Sequence, residues 1–199
     1  MSTTRPERPA LRARYDRRQR EVVVAAARVF AERGYDQTTV QDLADAIGLA
    51  AGGLYHYFGS KEQLLISICD ELMEPLLAQT EELLAADDAG DAEARLRAVV
   101  HLWVAHVVEH RHHMLVFQQE RHVIERGAQW KGVRDSRKRF ERLVGELLDE
   151  ALGAGTTPDR RLVLSALLGM VNHTAQWFRP GRLSPEEIAD GYADLVLSP

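Results

Sequence analysis

The sequence contains a single cysteine, Cys69, so no internal disulfide can form, and nothing around it has the spacing of a metal knuckle. No apolar run approaches the roughly 18 residues that a membrane span needs. The first 20 residues hold seven arginines but no apolar segment, unlike a secretory signal. A G-x-S-x-G elbow, an H-E-x-x-H helix and a phosphate-binding glycine loop are all missing. The paired carboxylates Asp87-Asp88 and Glu186-Glu187 fall in a loop and at a helix start, where solvation and capping account for them. Convincing period-2 alternation, internal repeats and low-complexity tracts are absent too. These absences disfavour an enzyme and a membrane protein. The expectation is a soluble, cytoplasmic chain without a cofactor.

What is present is ordinary globular usage, 45% apolar and 28% charged. The 199 residues suffice for one domain, or for two small ones sharing a core. The net charge of −5 hides an asymmetry: residues 1–61 carry +3 and residues 62–199 carry −8. A basic end on an acidic protein points to a polyanionic partner for that end alone. The arginine-rich segment from Arg5 to Arg20 reads either as an arm that touches phosphate or the minor groove, or as a solvated tail.

Helical periodicity dominates. Val23, Ala26, Ala27 and Phe30 share one face of a helix over residues 17–33, which Gly34 stops. Thr39 with Asp42 resembles a capping box, and Val40, Leu43, Ala44 and Ile47 repeat the spacing up to Gly48. A third short helix over residues 50–58 contains Gly52 and Gly53, each costing about 1 kcal/mol relative to Ala. Ser60 with Gln63 opens a fourth helix, in which Pro75 should cause a kink or a stop. Residues 85–91 read as a polar loop. Further helices are expected over residues 92–110, 111–125, 130–152, 158–178 and 185–197, the last two opened by Thr157-Pro158 and Ser184-Pro185. The fold class is all-α.

A long helix followed by two short ones around a glycine turn describes a helix-turn-helix. In it, residues 50–58 form the recognition helix, whose amino-terminal part must approach the floor of the major groove. That gives Gly52 and Gly53 a purpose, and leaves Leu54 and Phe58 for the inward face. The string TTVQDLADAIGLAAGGLYHYFGSKEQLL, residues 38–65, resembles the DNA-binding signature of the tetracycline-repressor (TetR) family of transcriptional regulators. The resemblance implies a DNA-binding domain over residues 15–62 and a ligand-binding and dimerisation domain over 63–199. It further implies phosphate contacts from Thr38, Thr39 and Lys61. Ala51, Gly52 and Gly53 would approach bases and backbone, Tyr55 and Tyr57 phosphates or sugars, and His56 base edges or backbone. Many relatives carry polar side chains at positions 51 to 53, so direct base readout should be sparse here.

The segment from Leu167 to Leu197 resembles a branch of the same family that represses lipid catabolism and answers to acyl-CoA thioesters, through its G-M-x-N-x-x-x-x-W-F-x-P run. The resemblance implies a ligand site that includes Trp103, Phe117, Arg121, Asn172, His173, Gln176, Trp177 and Arg179. Arg111, Arg134 and Arg182 are further candidates for the nucleotide phosphates. A homodimer is expected through the last two helices, with Leu164, Leu168, Val171 and Trp177 in its interface, reading a palindromic site on double-stranded DNA. Two alternatives stay open: a repressor of an efflux pump answering to a hydrophobic drug, and an all-helical metal protein or enzyme. The second would use the aligned histidines His106, His110 and His113.

Overall fold

A computed structural model describes residues 8–86, 90–153 and 159–197. The helices are α1 (Pro9–Arg33), α2 (Val40–Ile47), α3 (Ala51–Tyr57), α4 (Lys61–Ala85) and α5 (Ala92–Glu109). They continue as α6 (Arg111–Gln119), α7 (Arg121–Ile124), α8 (Lys131–Leu152), α9 (Arg160–Trp177) and α10 (Pro185–Leu197), with a 3-10 turn at Ala128–Trp130. No strand occurs among the described residues.

Local signals set most boundaries. Thr39 and Asp42 form both halves of the capping box on α2. The Ser60 hydroxyl accepts from the Gln63 amide at 3.0 Å, and Ser184 and Glu187 cap α10 reciprocally. α5 occupies the centre of the larger half, packed by α4, α8, α9 and α10. Its buried residues, among them Leu96, Val99, Trp103 and Val104, therefore cover more than one stripe. One hydrophobic cluster runs from Phe30 and Leu54 through Leu65 and Leu72 to Val196, so the three short-loop helices share a core with the rest.

The structure departs from the sequence reading in four places. α1 begins at Pro9 rather than near residue 17, because Tyr15 is buried and gives this arginine-rich stretch something to pack on. α4 runs through Pro75 without a stop, since Leu72, Met73 and Leu76 on either side are buried and hold the segment. The helix expected over residues 111–125 breaks at Glu120 (φ −96°, ψ 16°), whose carboxylate turns inward. α9 starts after Asp159, whose side chain accepts from the Arg161 amide at 2.8 Å; the expected Thr157-Pro158 start and the Asp87-Asp88 pair lie outside the described residues.

His106 and His110 stack at 4.2 Å, and His113 meets His110 edge-on at 5.6 Å. No group of three or more His, Cys, Asp or Glu suited to a metal ion occurs among the described residues. His106 instead pins α5 to α4, its Nε2 donating to the Leu72 carbonyl at 2.8 Å. Burial, then the neighbouring His110, push its pKa from 6.5 down to about 4. Between those values the unfolded chain binds more protons, so the stability present at neutral pH is lost as pH falls. Asp70, pushed up to about 6 by burial and by Glu74, acts in the opposite direction over the same window. Comparison with His106→Gln, which keeps an N–H toward Leu72, isolates the histidine. In urea unfolding at neutral pH and near pH 4, the wild type should lose roughly 3 kcal/mol more than the variant; equal losses would contradict a neutral, buried His106.

Candidate functional site

The α2–α3 corner turns on Gly48 in the left-handed conformation (φ 70°, ψ 37°), where the Leu49 amide returns to the Ala44 carbonyl at 2.9 Å. Leu43 and Ala44 from α2 and Leu54 and Phe58 around α3 face inward and are buried. The opposite side of α3 is left to solvent. A Cβ on Gly52 would meet nothing within 4 Å, and one on Gly53 only Leu49 atoms at 3.8 and 3.9 Å. Neither glycine has a positive φ. The fold therefore has no internal need for glycine at either position.

Tyr55 is 45% exposed and His56 is exposed. Tyr57 is half-buried, its ring 4.9 Å from that of Tyr15. Tyr15 also meets the His56 ring edge-on at 5.8 Å and donates its hydroxyl to the His56 carbonyl at 3.3 Å. This contact was invisible in the sequence, since Tyr15 lies ahead of the expected helix start.

Two of the residues expected at phosphate have duties within the fold. Thr38 is only 1% exposed, and its hydroxyl donates to the Gly34 carbonyl at 2.7 Å. The Lys61 ammonium donates to the carbonyls of Tyr35 and Thr38 at 2.7 and 2.8 Å and lies 4.1 Å from the Tyr35 ring centre. Of its three N–H groups one remains for an outside ligand. The Thr39 hydroxyl is exposed but engaged with Asp42, which holds that carboxylate below its ordinary pKa. The same loop is gripped from the other half, where buried Glu120 accepts from the Tyr35 amide at 3.4 Å, and just before it Gln119 donates to the Ala31 carbonyl near the end of α1 at 3.5 Å.

Between α6, α8 and α9 lies a cavity of about 560 Å³. It gathers Phe117, Arg121, Asn172 and His173 as the sequence reading expected, and adds Gln118, Arg137 and Glu141, which that reading missed. Gln118 bridges the helices, donating to the Asn172 carbonyl at 2.9 Å and accepting from Gln176 at 3.1 Å. Arg121 pairs with Glu125 at 2.9 Å. Arg137 is 18% exposed, with its Nε 3.6 Å from Glu141 and its Nη1 3.8 Å from Glu125, ion pairs slightly too long for hydrogen bonds.

Other candidates fall elsewhere. Trp103 is 1% exposed and packs edge-on against Phe140 at 4.9 Å, deep in the core rather than in the cavity. Trp177, 42% exposed, and Arg179, folded back on the Gln176 and Phe178 carbonyls, do not line it. Arg134 is spent on the Ile124 and Gly127 carbonyls. Val171, expected on a dimer surface, is fully buried within one copy, and Leu164 and Leu168 are half-buried against the core.

Because Lys61 closes the α1–α2 loop with two charge-assisted bonds, Lys61→Ala should lower the unfolding free energy by about 2 kcal/mol. Denaturant titration checks this, and an unchanged midpoint would show that the lysine does not hold the loop.

Residues 22–68 match the family described as bacterial regulatory proteins, tetR family, and residues 89–199 match the tetracyclin repressor-like C-terminal domain. The chain is 29% identical over 204 aligned positions to the HTH-type transcriptional repressor KstR2 of Mycolicibacterium smegmatis, covering 99% of this chain and 94% of the relative. It superposes on the ketosteroid transcriptional regulator KstR2 of Mycobacterium tuberculosis with a TM-score of 0.82 at 25% identity, covering 90% and 93% of the two chains. A crystal structure of AibR in complex with isovaleryl coenzyme A and operator DNA gives 0.76 at 28% identity, covering 92% and 99%. With a glycine-cornered helix-turn-helix at one end and a polar cavity among the helices of the other, the chain belongs to the TetR family of transcriptional regulators.

Proposed function

We propose that the protein is a cytoplasmic repressor that binds a palindromic operator as a homodimer and is released by an acyl-CoA thioester. Residues 15–62 are the DNA-binding part and residues 63–199 the ligand-binding and dimerisation part. The observation that carries the DNA reading is the bare side of α3, with two glycines the fold itself does not require. Ala51, Gly52 and Gly53 bring backbone close to the groove floor. Tyr55, His56, Tyr57, Thr39 and the remaining Lys61 N–H position the domain on the backbone.

For dimerisation the supporting surface is exposed apolar side chains on the last two helices, Leu162, Ala166 and Trp177 on α9 and Leu195 on α10. Gly191 on α10 has open space above it, which suits close approach of a second copy.

The ligand reading rests on the cavity's mixed character. An acyl-CoA needs an apolar wall, which Phe117 and Leu168 supply, and cations for its charged half in an otherwise acidic domain. Arg121 and Arg137, now ion-paired with Glu125 and Glu141, are those cations, since guanidinium pairs with phosphate or carbonyl oxygen in fixed geometry. Asn172, His173 and Gln176 stand near enough to the cavity to meet amide groups of the ligand. The relatives support the class: one is named a ketosteroid regulator, another was crystallised with isovaleryl coenzyme A and operator DNA. α6 offers the route of release. Phe117, Gln118 and Arg121 meet the ligand, while Gln119 holds the end of α1 and Glu120 the α1–α2 loop. A ligand that displaces α6 selects a conformation with wrongly spaced recognition helices.

Two measurements test this. Gly52→Ala should stabilise α3 by about 0.5–1 kcal/mol yet weaken binding to a palindrome selected from a randomised duplex pool by tenfold or more; unchanged affinity would remove α3 from the groove. Calorimetry with dodecanoyl-CoA, dodecanoic acid and CoA should find tight binding by the thioester alone, weakened tenfold or more in Arg137→Ala. Equal binding of the free acid would leave only a generic hydrophobic site, as the efflux-pump alternative requires.

A further inference from the structure

The first four turns of α1 are badly suited to being a helix for their own sake. No side chain caps the amino terminus, no acidic residue lies in the first turn, and arginines crowd the segment. Positive charge at that end opposes the helix dipole, and like charges at i, i+4 repel. Arg14, Arg17 and Arg18 nevertheless share one side of α1, around a hollow of about 600 Å³ whose far wall is Tyr57 of the recognition helix. Within it Glu21 is the counter-charge, and it is engaged by Arg18 at 2.8 Å. Arg14 and Arg17 are exposed and have no ion-pair partner among the described residues.

What orders this stretch is Tyr15. Its ring is buried against Tyr57 and His56, and its hydroxyl satisfies one of the last carbonyls of α3. Such carbonyls have no partner within the helix. α3 has seven residues, two of them glycine, and no capping side chain at its start. Its alignment therefore depends on contacts from outside, and Tyr15 provides them at the carboxyl-terminal end.

From this geometry we infer that α1 is a second DNA-contacting element: Arg14 and Arg17 clamp backbone phosphates flanking the groove that α3 enters, and Tyr15 is the positioning residue that locks clamp and recognition helix into one rigid unit. The inference rests on the DNA-binding reading above and extends its footprint beyond the helix-turn-helix. Phosphate offers Arg14 and Arg17 the counter-charge that they lack among the described residues. The contacts carry no sequence information, so they add affinity and salt dependence but not specificity. The basic segment is thus a helix-borne clamp from Pro9 onward, not a loose arm.

The test is fluorescence anisotropy over a salt series, with a palindrome selected by the wild type and with a random-sequence duplex. Each lost phosphate contact lowers the slope of log affinity against log salt by about 0.9, so Arg14→Ala/Arg17→Ala should lower it by nearly four across two protomers. Both duplexes should be affected alike, and the thermal midpoint should hold or rise as repulsion is removed. In Tyr15→Leu, which keeps apolar burial but loses the ring contacts, adding the two arginine replacements should change the slope much less than in the wild type. Where Tyr15→Leu fails to fold cooperatively, Tyr15→Phe replaces it; there the hydroxyl contact alone is lost, and a two- to fivefold loss of affinity is expected. A slope within half a unit of wild type in the double arginine variant overturns the clamp while the DNA reading stands. A wild type that binds neither duplex overturns both.

Discussion

One ammonium group holds the two halves of the molecule in register. Lys61 is the first residue of α4, a rod of about 37 Å, and its bonds to the Tyr35 and Thr38 carbonyls fasten the rod to the loop that launches α2. The amino-terminal approach to the recognition helix follows from that loop, while Tyr15 fixes its other end. Thr38 closes the loop on Gly34, Thr39 caps α2, and Gly48 turns α2 into α3. Tyr35 lies beneath the lysine and meets Glu120 through its amide, which brings the larger half into the same knot. A lysine in this role suits a loop with several carbonyls to satisfy, because its three donors can be shared.

The rest of the molecule is joined to this knot by continuous packing. The hydrophobic cluster is continuous from α1 to α10, so the DNA-binding helices do not float on a linker. A core packed in this way shifts between discrete arrangements rather than deforming smoothly. α6 is the short element placed to shift. It touches α1, α4 and α9 and ends at Glu120, whose non-helical backbone lets its carboxylate reach the loop. Side chains one residue apart on this segment thus serve opposite ends: Gln118 bridges to α9 beside the cavity, and Gln119 reaches the end of α1.

Much of this was legible in the sequence because it is local. Capping pairs such as Thr39 with Asp42 and Ser184 with Glu187 are read directly from spacing, and the structure forms both. The apolar faces that bury Val23, Leu43, Leu54 and Phe58 follow from helical period. What spacing could not give was anything settled across the chain. Tyr15 orders the start of α1 through residues 41 positions away. Glu120 breaks its helix to reach a partner 85 positions back, and Arg137 enters the cavity from a helix whose span alone was read from the sequence. Trp103 illustrates the reverse error: an aromatic residue in a ligand-binding region is as readily a core residue, and only its packing on Phe140 decides which.

In the proposed function, occupancy of the cavity reaches the recognition helix through α6 and the contact of Glu120 with the α1–α2 loop. Coupling between two sites is one free energy, measurable as the ratio of operator affinities with and without ligand. That ratio, taken with dodecanoyl-CoA for the wild type and for Glu120→Ala, is the most direct measurement. The account predicts that the variant still binds operator and thioester separately, while the ratio falls from tenfold or more toward one. An undiminished ratio in Glu120→Ala would contradict it.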